Sequence, residues 1–368
     1  MDMMLPKFRD RVNGCMVGLT IGDALGLPVE TSTRARILAA TGGAGVTGFD
    51  NVPRLTTHET TKDLPTGAVS DDTILSMAVA TSLVRCREFD VLDSTREQVA
   101  AYDRGIPGMG RATRVRLEQA KRWFASDGQE GEDPRAYPNN TSMGNGVAMK
   151  VAPLAIAHAL DTGSRNLWGS VNQLGRLTHG DLRASLAAFS VAALLMDIIR
   201  AYPARVDFTH AFVSLRKIQA TLVSIEDLWR QGKGDIAPGS RFGAEDPRPF
   251  YGRTKLLLDM AMAQEQDGPF QEKEPDALLE RIGGANCVVM ESVPMAIGIF
   301  LRHPQNFDRA VLEAVNCGGD TDSIASMVGA LVGANVGLSE IPIDLVAGSH
   351  GSGQARELAY SLFETFRK

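Results

Sequence analysis

The chain has 368 residues, 44% hydrophobic and 22% charged, with 38 basic against 44 acidic side chains and a net charge of −6. That profile is an ordinary soluble globular protein's. The acidic balance argues against a general nucleic-acid binder or a membrane-surface binder.

In chain order, helical periodicity dominates and convincing strands are scarce. The first helix is predicted over about Phe8–Leu25, with Gly14, Gly18, Gly22 and Gly26 at i,i+4 spacing. Arg9, Arg11 and Asp23 make it a soluble helix whose bare side lets a neighbour approach closely. Residues Thr31 to Gly67 read as a long irregular stretch rich in Thr, Gly and Pro, and a loop of that length inside a domain is usually functional. Further helices are predicted over Ser70–Arg85, Asp93–Asp103, Ala112–Phe124, Gly146–Leu160, Asn166–Thr178, Leu182–Tyr202, Phe208–Gln231, Arg253–Gln264, Pro275–Gly283, Val288–Arg302, Asp308–Val315, Asp322–Val336 and Gly353–Phe366. Leu182–Tyr202 is apolar nearly all round and so reads as buried. Gly232–Gly252 mixes Gly, Pro and charge and reads as a surface excursion within a single domain spanning residues 1–368.

Cys15, Cys86, Cys287 and Cys317 are scattered, with no CxxC pair and no histidine at zinc spacing. That argues against a zinc site and a disulfide framework, and free thiols imply a reducing compartment. The first residues carry no basic flank ahead of an apolar run, and no apolar run is read as reaching ~18 residues. The expectation is a cytoplasmic protein.

Two acidic clusters carry the chemistry. Ser70-Asp71-Asp72-Thr73 opens one apolar helix, and Gly318-Gly319-Asp320-Thr321-Asp322-Ser323 opens another. Each alone reads as a helix cap, because serine is a preferred N-cap and aspartates in a first turn complement the helix dipole. A cap uses one oxygen, however, and each cluster has a surplus. If the two meet, four carboxylates share one pocket. Each like-charged pair ~4 Å apart then costs roughly 4 kcal/mol at an effective dielectric of 20. Such a set needs protons or cations, and oxygen-only donors point to Mg²⁺, Mn²⁺ or Ca²⁺, with enough donors for two ions.

Three other features stand near these clusters. Leu27-Pro28 stops the first helix and delivers Glu30, a candidate general base or metal ligand, into the long loop. Thr141-Ser142-Met143-Gly144-Asn145-Gly146 precedes a helix and is a candidate anion nest. His179 stands where one helix ends and another begins. Asp23 falls in a last helical turn, where the dipole disfavours an anion, so it needs a partner.

In order, GDALGLPVE (22–30), SDDT (70–73), TSMGNGVAMKVAPL (141–154), LTH (177–179) and the run 314–334 resemble the ADP-ribosylglycohydrolase family, whose best-known bacterial branch is dinitrogenase reductase-activating glycohydrolase. The resemblance implies an all-α orthogonal multi-helix bundle with a binuclear Mg²⁺ or Mn²⁺ centre. It places Ser70, Asp71, Asp72, Asp320, Asp322 and Ser323 at ligand positions. Glu30 falls on the acidic residue that contacts the centre and gates or activates water. Residues Thr141–Gly146 fall on the diphosphate segment, and His179 on a histidine near the ribose. Glu291 is a looser match to the adenosine side. Ser70 and Ser323 replace the usual threonines. Lys150 replaces a usual arginine, read as a surface change.

The implied activity is hydrolysis of the glycosidic bond between C1″ of ADP-ribose and a modified side chain, with Glu30, Asp71 and Asp322 as catalytic groups. The implied partners are an ADP-ribosylated protein or ADP-ribose derivative and a cognate ADP-ribosyltransferase, with no membrane and no general nucleic-acid binding. An immunity or binding protein that neutralises an ADP-ribosylating toxin is the alternative, and a retired structural member or a two-metal phosphoesterase the remaining rivals.

Overall fold

The computed structural model describes residues 5–161, 166–231, 248–265 and 275–367. Most of the predicted excursion at 232–252 lies outside them. In chain order the helices are α1 (Leu5–Gly26), α2 (Arg34–Ala40), α3 (Asp71–Cys86), α4 (Val91–Asp103), α5 (Arg111–Ala125), α6 (Ala152–Leu160), α7 (Leu167–Arg176) and α8 (Leu182–Arg200). They continue with α9 (Phe208–Arg230), α10 (Tyr251–Glu265), α11 (Pro275–Ile282), α12 (Val289–Arg302), α13 (Phe307–Val315), α14 (Thr321–Val336), α15 (Ile343–Gly348) and α16 (Ser352–Phe366). Among the described residues the only β pairing is two isolated bridges, Thr33 with Gly318 and Gly144 with Val288. The fold is all-α, as expected.

The glycine stripe of α1 finds its neighbour in α14. A Cβ at Gly14 would sit 2.2 Å from the Gly333 carbonyl oxygen, one at Gly18 2.2 Å from that of Gly329, and one at Gly22 2.0 Å from that of Ala325. The seam leaves no room for side chains, so the backbones fix each other's register. Its last contact matters most: a Cβ at Gly26 would lie 2.5 Å from Asp322 Cα. The end of α1 is thereby held against the start of α14.

Around this pair, α8 is buried along nearly its whole length, as its composition predicts. The stretch Lys7–Val29 and α8 are each long and apolar enough to cross a bilayer, and both are enclosed in the fold, with 94% and 89% of their windows buried. The expectation that no segment reaches that length is corrected on this point. Two predicted elements also differ. The stretch 31–67 contains α2, capped by Thr33, whose hydroxyl accepts from the Arg36 amide. The helix predicted over 146–160 is broken into a short 3₁₀ turn at Ala148–Lys150 and α6, with Pro153 in the first turn of α6, where its missing N–H costs nothing.

Candidate active site

The amino termini of α3 and α14 converge, and the end of α1 closes the space between them. Ser70 caps α3: its hydroxyl accepts from the Asp72 amide and donates to Asp72 Oδ2 at 3.2 Å. Ser323 donates to the same Asp72 Oδ2, also at 3.2 Å, so one carboxylate ties the two helices. Asp23 gains the partner its position demanded. Its carboxylate accepts from the amides of Ser70 and Thr73 and so serves as an outside cap for α3.

Carboxylate oxygens of Asp23, Asp72 and Asp322 lie within 4.8 Å of one another, and so do those of Glu30, Asp320 and Asp322. Asp322 belongs to both groups. Glu30 is placed by a short two-way pairing of the chain after it with the glycines before Asp320. Thr31 N–H donates to Gly319 O at 2.7 Å, and Gly319 N–H returns to Ser32 O at 2.8 Å. Gly318 and Gly319 have φ of +81° and +78°, and a Cβ on Gly319 would meet the Ala285 carbonyl at 2.2 Å. Only glycine fits there.

Burial drives the electrostatics of this floor. It raises Glu30 to about 8, with Asp320, Asp71 and Asp23 adding repulsion. Asp71 rises to about 7 by burial and then by Asp23 and Asp320. Asp23 rises to about 6 by burial, against the hydrogen bonds from Thr73 and Ser70. Asp72 and Asp322 are pushed well above the usual range by burial and their acidic neighbours. Asp72 Oδ1 and Glu30 Oε2 are buried and accept no hydrogen bond. Buried carboxylate oxygens with no donor are expensive. Hard oxygen donors left open in this way fit a divalent cation.

A cavity of about 550 Å³ opens above the floor. Asp71, Asp72, Asp320, Asp322, Ser323 and Glu30 line one side. Ser142, Gly144, Asn145, Gly146 and His179 line another, while Thr141 is exposed and Met143 packs against the core. Asn145 joins loop to floor, its Nδ2 donating to Asp320 Oδ2 at 2.6 Å. The loop is pinned from behind, with Asn145 N–H on Cys287 O and Val289 N–H on Met143 O, both 2.9 Å. His179 pairs through Nδ1 with Thr178 Oγ1 at 2.7 Å. Burial, then the Lys150 charge, lowers it to about 3, so its ring is neutral. A Cβ on Gly144 would lie 3.2 Å from His179 Nε2, which places that nitrogen against the loop.

Residues 4–368 match the ADP-ribosylglycohydrolase family. The chain belongs to the ADP-ribosylglycohydrolase family. It is 27% identical to the ADP-ribosylhydrolase ARH3 of Bos taurus, over 97% of this chain and 93% of that one. It is 26% identical to the ADP-ribosylarginine hydrolase Tri1 of Pseudomonas putida, over 96% and 78%. It is 22% identical to the ADP-ribosyl-[dinitrogen reductase] glycohydrolase of Rhodospirillum rubrum, over 92% and 89%. Among solved structures it resembles an ADP-ribosylglycohydrolase-related protein complex, with a TM-score of 0.62 and 25% identity over 98% of this chain and 99% of that one. As a member of this family the chain is an enzyme, a glycosidic-bond hydrolase.

Within this ADP-ribosylglycohydrolase fold, one reading of the sequence changes. Lys150 is not a surface residue. It is fully buried and donates to Gln98 Oε1 at 2.9 Å, and burial lowers it to about 8 against the pull of Asp71. Glu291 accepts from the backbone and side-chain amides of Asn286, in the turn just before its helix. Sequence reasoning also passed over cavity residues on the far side: His58 and Thr60 from the long loop, Cys287, and Arg111, Thr113 and Arg114 from the first turn of α5. The signal for that turn was present in the predicted helix start at 112, whose first turn holds no acidic residue.

Proposed function

We propose that this enzyme is a divalent-cation-dependent hydrolase that releases ADP-ribose from a modified side chain by cleaving the bond at C1″. The observation that carries the reading is the pair of carboxylate groupings sharing Asp322, with Asp72 Oδ1 and Glu30 Oε2 unsatisfied beside them. Two cations, Mg²⁺ or Mn²⁺, suit this donor set: Asp23, Asp72 and Asp322 for one, Glu30, Asp320 and Asp322 for the other. When bound, such ions template hydroxyl oxygens and lower the pKa of water.

The chain's own residues supply the rest. Glycoside cleavage builds oxocarbenium-like positive charge at the anomeric carbon. A floor of preorganised carboxylates favours that charge more than the neutral ground state, which is differential binding of the transition state. Glu30 stands at the cavity edge of the floor with one free oxygen, placed to take a proton from water or give one to the leaving group. Neutral His179 offers Nε2 to a sugar hydroxyl. Asn145 holds Asp320 in place.

An ADP-ribosylated protein made by an ADP-ribosyltransferase is the substrate class, in a reducing, cytoplasmic setting. The test measures free ADP-ribose released from arginine- and serine-modified peptides by wild type, Glu30→Gln and Asp322→Asn, with and without EDTA. Release should vanish on chelation and in Asp322→Asn, and fall steeply in Glu30→Gln. Undiminished release after chelation overturns the cation requirement, and no release from any peptide by the wild type overturns the activity.

A further inference from the structure

We propose that Asn140 is a positioning residue of this enzyme: it stands outside the cavity lining and locks the 141–146 loop to the turn that carries His179. The inference rests on the hydrolase reading above, because it takes that loop and His179 as the substrate-facing side of the cavity.

The turn at 177–181 sets the requirement. Each of its residues is buried, and a buried backbone carbonyl or amide has to find a partner inside the protein. Two of its carbonyls lie past the end of α7, and each is met by a side chain from elsewhere. Arg116 Nε, on α5, donates to Leu177 O at 3.0 Å. Asn140 Nδ2 donates to Thr178 O at 3.1 Å. Gly180 N–H then donates back to Asn140 Oδ1 at 3.0 Å. Asn140 thus bonds the residue on either side of His179.

The same oxygen holds the loop. Asn140 Oδ1 also accepts from Ser142 N–H at 3.0 Å. One side-chain amide therefore makes three hydrogen bonds, two accepted and one donated, between the loop entrance and both neighbours of His179. The partners fix which way the amide points. Turned over, it would set its NH₂ against two N–H donors and its oxygen against a carbonyl. Farther along, the loop lies on the ring itself. A Cβ on Gly144 would lie 3.2 Å from His179 Nε2, and one on Gly146 3.1 Å from Cε1. A Cβ on Gly180 would lie 2.0 Å from the Asn140 carbonyl oxygen, so the two backbones touch. The bonds to Cys287 and Val289 fix the far end of the loop, and Asn140 fixes its near end against His179. Held in this way, His179 Nε2 and the loop meet the substrate as one surface.

The experiment compares wild type with Asn140→Ala, which removes all three bonds, and Asn140→Asp, which keeps both acceptors but sets a charge against Thr178 O. Free ADP-ribose should bind Asn140→Ala about tenfold more weakly, with Asn140→Asp between the two. In turnover of an arginine-modified peptide KM should rise in proportion while kcat stays within about threefold, because Asn140 bonds none of the floor carboxylates. The His179 ring, assigned by NMR with His179→Gln, should not titrate from about pH 4 to about pH 8 in wild type and should titrate in Asn140→Ala, because a loosened turn admits water to it. A variant that only melts earlier, with the ADP-ribose affinity and His179 spectrum of wild type, overturns the proposal. If the wild type neither binds nor releases ADP-ribose, the hydrolase reading falls and the NMR titration decides alone: a titrating ring in Asn140→Ala upholds the lock, and a silent one overturns it.

Discussion

The floor of the cavity and the wall formed by the first turn of α5 carry opposite charge, and they are built in opposite ways. On the floor, Asp23, Asp72 and Asp322 are buried, and their backbones are clamped by the glycine seam of α1 against α14 and by the Asp23 caps on α3. On the wall, Arg111 and Arg114 stand on an exposed helical turn with nothing to hold them. The floor is therefore a property of the fold, and the wall a property of a few surface side chains. Changes to the floor should cost stability and chemistry together. Changes to the wall should leave stability nearly unchanged.

The sharpest way to break that contrast is to open the seam. Gly22→Val drives a side chain into the Ala325 carbonyl, with no flexible atom to yield. Overpacking of this kind costs about 3 kcal/mol or more. Calorimetry should show a large drop in melting temperature, and cation binding should weaken with it, because the displaced segment carries Asp322. A variant that melts near wild type while binding cations normally would show that the floor does not depend on the seam.

Next in size is Asp322→Asn, which keeps the shape but removes the charge common to both carboxylate groupings. Its effect on ADP-ribose release should exceed the ~100-fold that loss of a supporting residue costs at such sites. Stability without cations should rise, because one member of a repelling set is gone. A loss of activity accompanied by a lower melting temperature would instead mark Asp322 as a structural residue.

These two residues also mark how far the sequence could be read. The surplus of carboxylates at Asp71–Asp72 and Asp320–Asp322 and the bare face of α1 were local patterns, and the structure joins both in one place. Asp23 showed only as a charge in an unfavourable helical position. Its role as a cap lies 47 residues away on α3, a long-range relation that no spacing rule expresses. Lys150 was read as a surface change because lysine is seldom buried, yet it lies inside the fold and donates to Gln98, 52 residues earlier. The wall was missed because an arginine near a helix start is common on surfaces, and only the fold shows that this start faces a cavity. α2 was missed because its Thr33 cap precedes only seven helical residues, about two turns.

A third, intermediate effect is linkage between protons and cations. Without cations Glu30, Asp71 and Asp23 are raised to about 8, 7 and 6 in the folded chain, from ordinary carboxylate values when unfolded. Between roughly pH 4 and those values the folded chain therefore holds more protons than the unfolded one, so stability falls as pH rises through that window. Divalent cations replace the protons and release them on binding. The melting temperature in EDTA should decline from about pH 5 to about pH 8. Added Mg²⁺ or Mn²⁺ should raise it more at the higher pH. An increment from cations that is the same at both pH values would remove the floor carboxylates as ligands.

The smallest expected effect tests where the floor is joined to the 141–146 loop. Asn145 spans the two, with its amide on Cys287 O and its side chain on Asp320 Oδ2. Asn145→Ala keeps the backbone bond and removes the side-chain one. Loss of one hydrogen bond to a charged acceptor is worth about 1.5–3 kcal/mol when the acceptor stays buried and unpaired. Asp320 is only partly buried and stands beside other carboxylates that share a cation, so the cost should fall at or below the lower end of that range. In the presence of Mg²⁺ the cost should shrink further, because a cation takes over the charge that the amide had been holding. A cation-insensitive loss of stability would make Asn145 a purely structural clip.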